Sequence, residues 1–203
     1  GVVCPPDTSN VDWLTIPGAK IEDLIHAWRV EYHREPCPMR ILLIAGLNDL
    51  MRGGGFESVT TQIERFSVLV KHQNRYHPGK PNAFAVAPLL PVPKLVWFPD
   101  NGTPPPGYQN RIEEVNQIND WIKVMNIHNN ISQVPMFNIW GTRTTKRMVE
   151  GAQVEFKTHM WNAWRASEAF EDKVHLSDKM RVKMGQYVVK YFEGERERNG
   201  PLV

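Results

Sequence analysis

Three short stretches of this sequence combine residue types that do acyl-transfer chemistry. Asp172-Lys173-Val174-His175 places a carboxylate three residues before an imidazole. A carboxylate at that spacing, in a turn, accepts a hydrogen bond from one ring nitrogen, fixes the tautomer and leaves the other nitrogen as a base. Gly46-Leu47-Asn48-Asp49 offers a side-chain amide, Asn48, able to donate to a developing oxyanion. Pro17-Gly18-Ala19 offers a glycine, Gly18, whose backbone N–H a substrate can approach closely, with a helix beginning behind it. Together they provide a base, its orienting acid and two oxyanion donors. Each has a plainer reading as well: a histidine at a helix start, a turn after a strand, and a Pro-Gly turn.

The elements that must hold these residues follow from hydrophobic periodicity. Residues 12–16 (DWLTI) form a short strand-like run closed by Pro17-Gly18. Apolar Ile21, Leu24, Ile25 and Trp28 predict a helix over 20–32. Residues 39–45 (MRILLIA) are an almost unbroken apolar run, as in a buried parallel strand, ended by Gly46. Gly53, Gly54 and Gly55 read as a flexible break. A helix over 57–77 follows, with Val59, Ile63, Phe66, Leu69 and Val70 facing the core, stopped by His77-Pro78-Gly79. Residues 82–90 make a third strand, and the proline-rich stretch 91–110 an irregular, functional or mobile loop. A helix over 110–128 carries Ile112, Val115, Ile118, Trp121, Ile122 and Met125 on one face. Residues 134–140 read as a fourth strand. The polar stretch 143–171 gives no clear pattern. Ser177 caps a last helix over 178–195, with Met180, Val182, Met184, Val188, Val189 and Phe192 apolar. Strand and helix alternate, which predicts an α/β fold with a mostly parallel sheet covered on both faces, three layers in all. Ligand sites in such sheets lie beyond the carboxyl ends of strands, and Gly18 and Asn48 fall there.

The order glycine, then GxND after a buried strand, then DxxH before a C-terminal helix resembles the SGNH (GDSL-like) hydrolases. The resemblance spans residues 13 to about 192. It implies a flavodoxin-like three-layer domain over residues 1–203. It implies an ester hydrolase in which His175 is the general base, Asp172 its orienter, and Gly18 and Asn48 the oxyanion donors, acting on acetyl, short acyl or lipid esters. The family's Gly-Asp-Ser nucleophile turn does not occur in this sequence. The nearest string, Asp7-Thr8-Ser9, follows two prolines and has no strand before it. The expectation is that the block lies upstream in a longer parent or has been lost. The site is then incomplete or inactive as the sequence stands. The family's first strand goes with it, leaving residues 39–45 an apolar edge to be filled by an upstream segment, another protomer or a rearranged N-terminus.

A second class of function stays open, a non-catalytic esterase-like module for binding or assembly. The chain is similar in style to the esterase-like domains in first-open-reading-frame or gag-like proteins of vertebrate retroelements. Residues 140–165 interleave Trp140, Trp161 and Trp164 with Arg143, Lys146, Arg147, Lys157 and Arg165, a pattern a single-strand nucleic-acid binder uses. The plainer reading of the stretch, a solvated and partly buried surface, is the favoured one. A flavodoxin-like ligand-binding protein is disfavoured, because no Lys-Ser or Lys-Thr follows Gly53-Gly54-Gly55.

Composition bounds the rest. A length of 203 residues suits one domain. A net charge of +2 does not by itself demand a nucleic-acid partner. The two cysteines, Cys4 and Cys37, make no disulfide framework or zinc site, so free thiols and an intracellular location, cytoplasmic or nuclear, are expected. The other histidines show no metal spacing, and no cofactor is expected. No apolar run reaches the roughly 20 residues that span a bilayer.

Overall fold

In the computed structural model, residues 14–32, 40–74, 83–95, 106, 108–129, 141–160, 169–172 and 174–199 are described. They form a mixed α/β arrangement. In chain order it contains α1 (Ile21–Glu31), β1 (Arg40–Leu43), α2 (Leu47–Met51), α3 (Phe56–Asn74), β2 (Ala83–Val86), α4 (Ile112–His128), β3 (Gly141–Val149), β4 (Ala152–Met160) and α5 (Asp178–Asn199).

β1 and β2 run parallel, with Ile41 opposite Phe84 and Leu43 opposite Val86. Period-2 alternation sends Ile41, Leu43, Phe84 and Val86 into the main apolar cluster, where they meet α1, α3 and α4. The intervening residues Leu42 and Ala85 pack instead with Tyr191 and Phe192 of α5. Both sides of this strand pair are therefore apolar, which is why its sequence reads as unbroken hydrophobic runs rather than alternation. The helices bury the stripes that periodicity assigns. Ile21, Ile25 and Trp28 are buried on α1, Val59, Ile63, Phe66 and Val70 on α3, and Val115, Ile118 and Ile122 on α4. Trp28, Phe66 and Phe84 form an edge-to-face chain, with centroids 5.5 and 5.7 Å apart, that ties α1 through α3 to β2.

Two buried amides hold β2 from its side. The Asn126 side chain accepts the Val86 N–H at 3.0 Å and donates to the Val86 carbonyl at 2.9 Å. Asn119 does the same for Leu89, at 2.6 and 3.0 Å. The geometry follows from repeat lengths. Seven residues of helix rise about 10.5 Å, and three residues of extended chain span about 10 Å. Each asparagine thus meets the N–H and C=O of one residue, Val86 in the strand and Leu89 in its continuation.

Several expectations change in detail. Leu14–Ile16 carry no strand ladder, so the run expected over 12–16 is not a strand where it is described. The last helix turns Val182 outward, at 44% exposure, and buries Tyr191 instead. Gly53-Gly54-Gly55 is not a loose break: the Gly53 N–H donates to the Leu50 carbonyl at 3.1 Å and the Gly54 N–H to the Asp49 carbonyl at 2.9 Å. The proline-rich loop is pinned near its start, where Val92 and Leu95 enter the core. The stretch 143–171 contains an antiparallel hairpin, β3–β4, turning through Glu150 and Gly151. Both turn residues have positive φ, 50° and 81°, as a two-residue hairpin turn that matches strand twist requires. The sheet is thus not mostly parallel among the described residues: one parallel pair stands beside this longer antiparallel one. A lone hairpin is marginal in water, and this one leans on α4. Phe156 is buried, with the Arg147 guanidinium 4.6 Å above its ring and 2.7 Å from Asp120. The strand expected over 134–140, Cys4, Cys37 and Ser9 lie outside the described residues. Among the described residues no helix is long and apolar enough to cross a membrane.

Replacing Asn126 by Ala strands the N–H and C=O of Val86 in the core, at a cost of about 2–4 kcal/mol. Urea unfolding of the two proteins measures it. A loss below about 0.5 kcal/mol, the scatter of neutral surface changes, would show that the amide does not hold the strand.

Candidate functional site

Two turns converge at the carboxyl end of β1. The first is the β-turn Ile16-Pro17-Gly18-Ala19, closed by the Ala19 N–H on the Ile16 carbonyl at 3.2 Å. Pro17 fits the second position of a type II turn, and the third demands positive φ, which Gly18 supplies at 71°. The closing bond uses the Ala19 N–H, and Gly18's own N–H carries no hydrogen bond among the described residues.

The second turn is the exit from β1 into α2. Gly46 caps α2 at φ 107°, and a Cβ there would lie 3.1 Å from both Leu89 and Val59. Positive φ and close packing both require glycine at this position. The turn throws Asn48 and Asp49 toward α1, and three bonds join the turns. Asn48 Nδ2 donates to the Ala19 carbonyl at 2.9 Å. The Asp49 carboxylate accepts the Ile21 N–H at 3.1 Å. Arg52 Nη2 donates to the Gly18 carbonyl at 3.0 Å. The sequence-predicted pair Gly18 and Asn48 is therefore brought together, with one of the two Asn48 amide protons committed to Ala19.

Asp49 is 6% exposed. Burial pushes its carboxyl above the ordinary range, opposed by the Ile21 N–H, by its own N–H and by the Lys20 charge. It faces the first turn of α1, where the helix dipole favours negative charge.

The other half of the predicted site lies before α5. His175 Nδ1 is 2.7 Å from Asp172 Oδ2. Asp172 Oδ1 accepts the backbone N–H groups of Val174 and His175, at 2.6 and 2.7 Å. An ionised carboxylate only accepts, so the neutral imidazole carries its proton on Nδ1 and presents Nε2 as a base. Among the described residues nothing bonds to Nε2, and the His175 side chain is 70% exposed. The segment is fastened from both ends: Glu171 N–H donates to the His175 carbonyl at 2.9 Å, and Ser177 N–H to the Ala169 carbonyl at 2.9 Å. The hydrogen bond from His175 to Asp172, then those two backbone donors, hold the Asp172 carboxyl down at about 2. No hydrogen bond or ion pair among the described residues joins this half to Gly18 or Asn48.

Residue types alone did not single out Arg52, Arg111 or the role of Asp49. Arg111 donates to the carbonyls of Leu50 and Gly54 and pairs with Glu114, which in turn accepts the Phe56 N–H at 2.9 Å. This node locks the glycine turn against α4. A cavity of about 750 Å³ opens beside it, bordered by Gly53, Asn110, Glu113 and Gln117. Its lining includes none of Gly18, Asn48, Asp172 or His175. Among the described residues no group of three or more His, Cys, Asp or Glu could hold a metal ion.

The Asp172 carboxylate is bound more tightly in the folded chain than in the unfolded one. Its contribution to stability is present above pH 3.8 and is lost as pH falls toward about 2. Carbon-detected NMR of the side-chain carboxyl measures the midpoint directly. A value near 2 is expected, and an unshifted midpoint would mean that the Asp172–His175 bond does not persist in solution. No protein-family model matches this chain, and no curated protein matches it in sequence.

Proposed function

We propose that this chain carries the oxyanion-donor and general-base halves of an SGNH-type ester-hydrolase site on a three-layer α/β fold. The observation that carries the reading is the bond from Asn48 Nδ2 to the Ala19 carbonyl, 2.9 Å long. It sets the GLND turn against the Gly18 turn, joining two stretches 29 residues apart at the carboxyl end of β1. The Gly18 N–H, which carries no hydrogen bond among the described residues, and the second Asn48 amide proton are the donors an oxyanion needs. The Asp172–His175 pair supplies a base of fixed tautomer. Packing of Leu42 and Ala85 against α5, opposite the face that meets α1 and α3, supports the three-layer order.

In this reading His175 Nε2 takes the proton from an attacking hydroxyl while Asp172 steadies the resulting imidazolium. The ester carbonyl oxygen, turning negative, settles between Gly18 N–H and Asn48. The proton then passes from Nε2 to the departing alcohol. The sequence holds no Gly-Asp-Ser turn, and no serine bonds to His175 among the described residues.

The alternative, a binding module for single-stranded nucleic acid, draws on residues 140–165. There Arg147 is engaged with Asp120 and Phe156, and Lys146 lies 3.9 Å from Glu155. These two cations are partly neutralised, which counts against this reading; Trp140, Trp161, Trp164 and Arg165 lie outside the described residues.

The test uses the complete product of the gene. It is assayed with p-nitrophenyl acetate and labelled with a fluorophosphonate. The reading expects turnover and labelling, with His175→Ala lowering kcat by about 10³-fold or more and Asn48→Ala by about 10²-fold. Full activity in His175→Ala would refute it. A protein that neither turns over nor labels leaves the binding-module reading in its place.

A further inference from the structure

We infer that Arg52 makes this rim selective for esters that carry a negative charge, a carboxylate or phosphate, close to the scissile group. The inference rests on the hydrolase reading for its substrate and on separate geometry for its charge. Arg52 follows α2 by one residue, and its guanidinium reaches across to the Gly18 carbonyl at 3.0 Å. A Cβ built on Gly18 would stand 3.6 Å from Arg52 Nη2, so the cation lies against the glycine whose N–H carries no hydrogen bond among the described residues.

A guanidinium has five N–H donors, and one bond to a carbonyl leaves most of the fork open. Arg52 is exposed and makes no ion pair among the described residues. Two described carboxylates near α1, Asp49 and Asp23, are engaged elsewhere. Asp49 is buried and faces the Ile21 N–H, and Asp23 accepts the Lys20 N–H at 2.9 Å. Asp49 also occupies the first helical N–H of α1, so a ligand here is held by the rim's side chains and not by the end of that helix.

Three kinds of donor therefore share one rim: the Gly18 N–H, the Asn48 amide and the Arg52 fork. The first two suit a carbonyl oxygen turning into an oxyanion. The third suits a formal anion, which a planar guanidinium binds through paired N–H groups. Arg52 is a specificity-determining residue in this arrangement. It would touch the charged group of the substrate and, through the Gly18 carbonyl, orient the peptide beside it.

The experiment is a nitrogen-15 NMR titration of this chain with monomethyl phosphate, monomethyl succinate and, as the neutral control, methyl acetate. Both anions are expected to shift the Arg52 Nε–H and the Gly18 amide in saturable fashion. They should bind at least threefold to tenfold more tightly than methyl acetate, the range for an exposed charged contact. Arg52→Gln should remove that preference, and Arg52→Lys should restore part of it. Raising the salt concentration should weaken the anions alone. Equal affinity for methyl acetate, or an unchanged preference in Arg52→Gln, overturns the inference. The two readings fail separately. Anions that move Arg52 and Gly18 without any response at His175 count against the hydrolase reading and leave the anion site standing. A neutral ester that moves Gly18 and His175 together, with Arg52 silent, does the reverse.

Discussion

The arrangement depends on a buried carboxylate. Asp49 sits at the exit of β1 and accepts the first helical N–H of α1. Removing its charge from water is costly, and the raised carboxyl records that cost. The N–H bond, the Lys20 charge and the positive end of α1 offset it. With Asp49 in place, α1 begins against the end of β1, and the residues on either side of it fall into position. Asn48 meets Ala19 and Arg52 meets Gly18. Without it, a buried helix end would lack a partner, and the Asn48–Ala19 and Arg52–Gly18 bonds alone would join the two turns.

Gly46 makes that placement possible. A side chain there would press on Val59 and Leu89, and the backbone could not turn from strand into α2 at positive φ without strain. On the other side of the glycine turn, Arg111 uses its whole guanidinium on backbone carbonyls and Glu114. One arginine of the region is thus spent on structure, while Arg52, four residues beyond Asn48, keeps most of its donors. Both residues bond carbonyls: Arg111 engages all three guanidinium nitrogens, whereas Arg52 makes a single bond, to Gly18, among the described residues.

Much of this was legible in the sequence because it is local. The stripes of α1, α3 and α4 follow from 3.6-residue periodicity, and the unbroken runs of β1 and β2 from burial on both faces. The turn at Pro17-Gly18 and the Asp172–His175 pair are short-range features whose chemistry is written in adjacent residues. What stayed hidden depends on partners far along the chain. Asn119 and Asn126 look like polar interruptions of an apolar helix face until β2 and its continuation bring the backbone of Val86 and Leu89 to meet them. The hairpin over 141–160 reads as polar because Thr144, Lys146 and Gln153 face water, while Phe156 supplies a buried anchor. The glycine run looked loose because nothing in its sequence announces that Arg111 will grip it. Arg52 carried no signal except its distance from Asn48.

The central claim is that the oxyanion donors and the Asp172–His175 base serve one rim. Paramagnetic broadening measures it most directly. A nitroxide is attached at His175→Cys, in a chain whose Cys4 and Cys37 are changed to Ser, and amide signals are compared with those of the reduced label. The account predicts that the Gly18 and Asn48 amides broaden strongly, while Glu150 and Gly151 at the hairpin turn stay sharp. Sharp signals at Gly18 and Asn48, with broadening elsewhere, would contradict it.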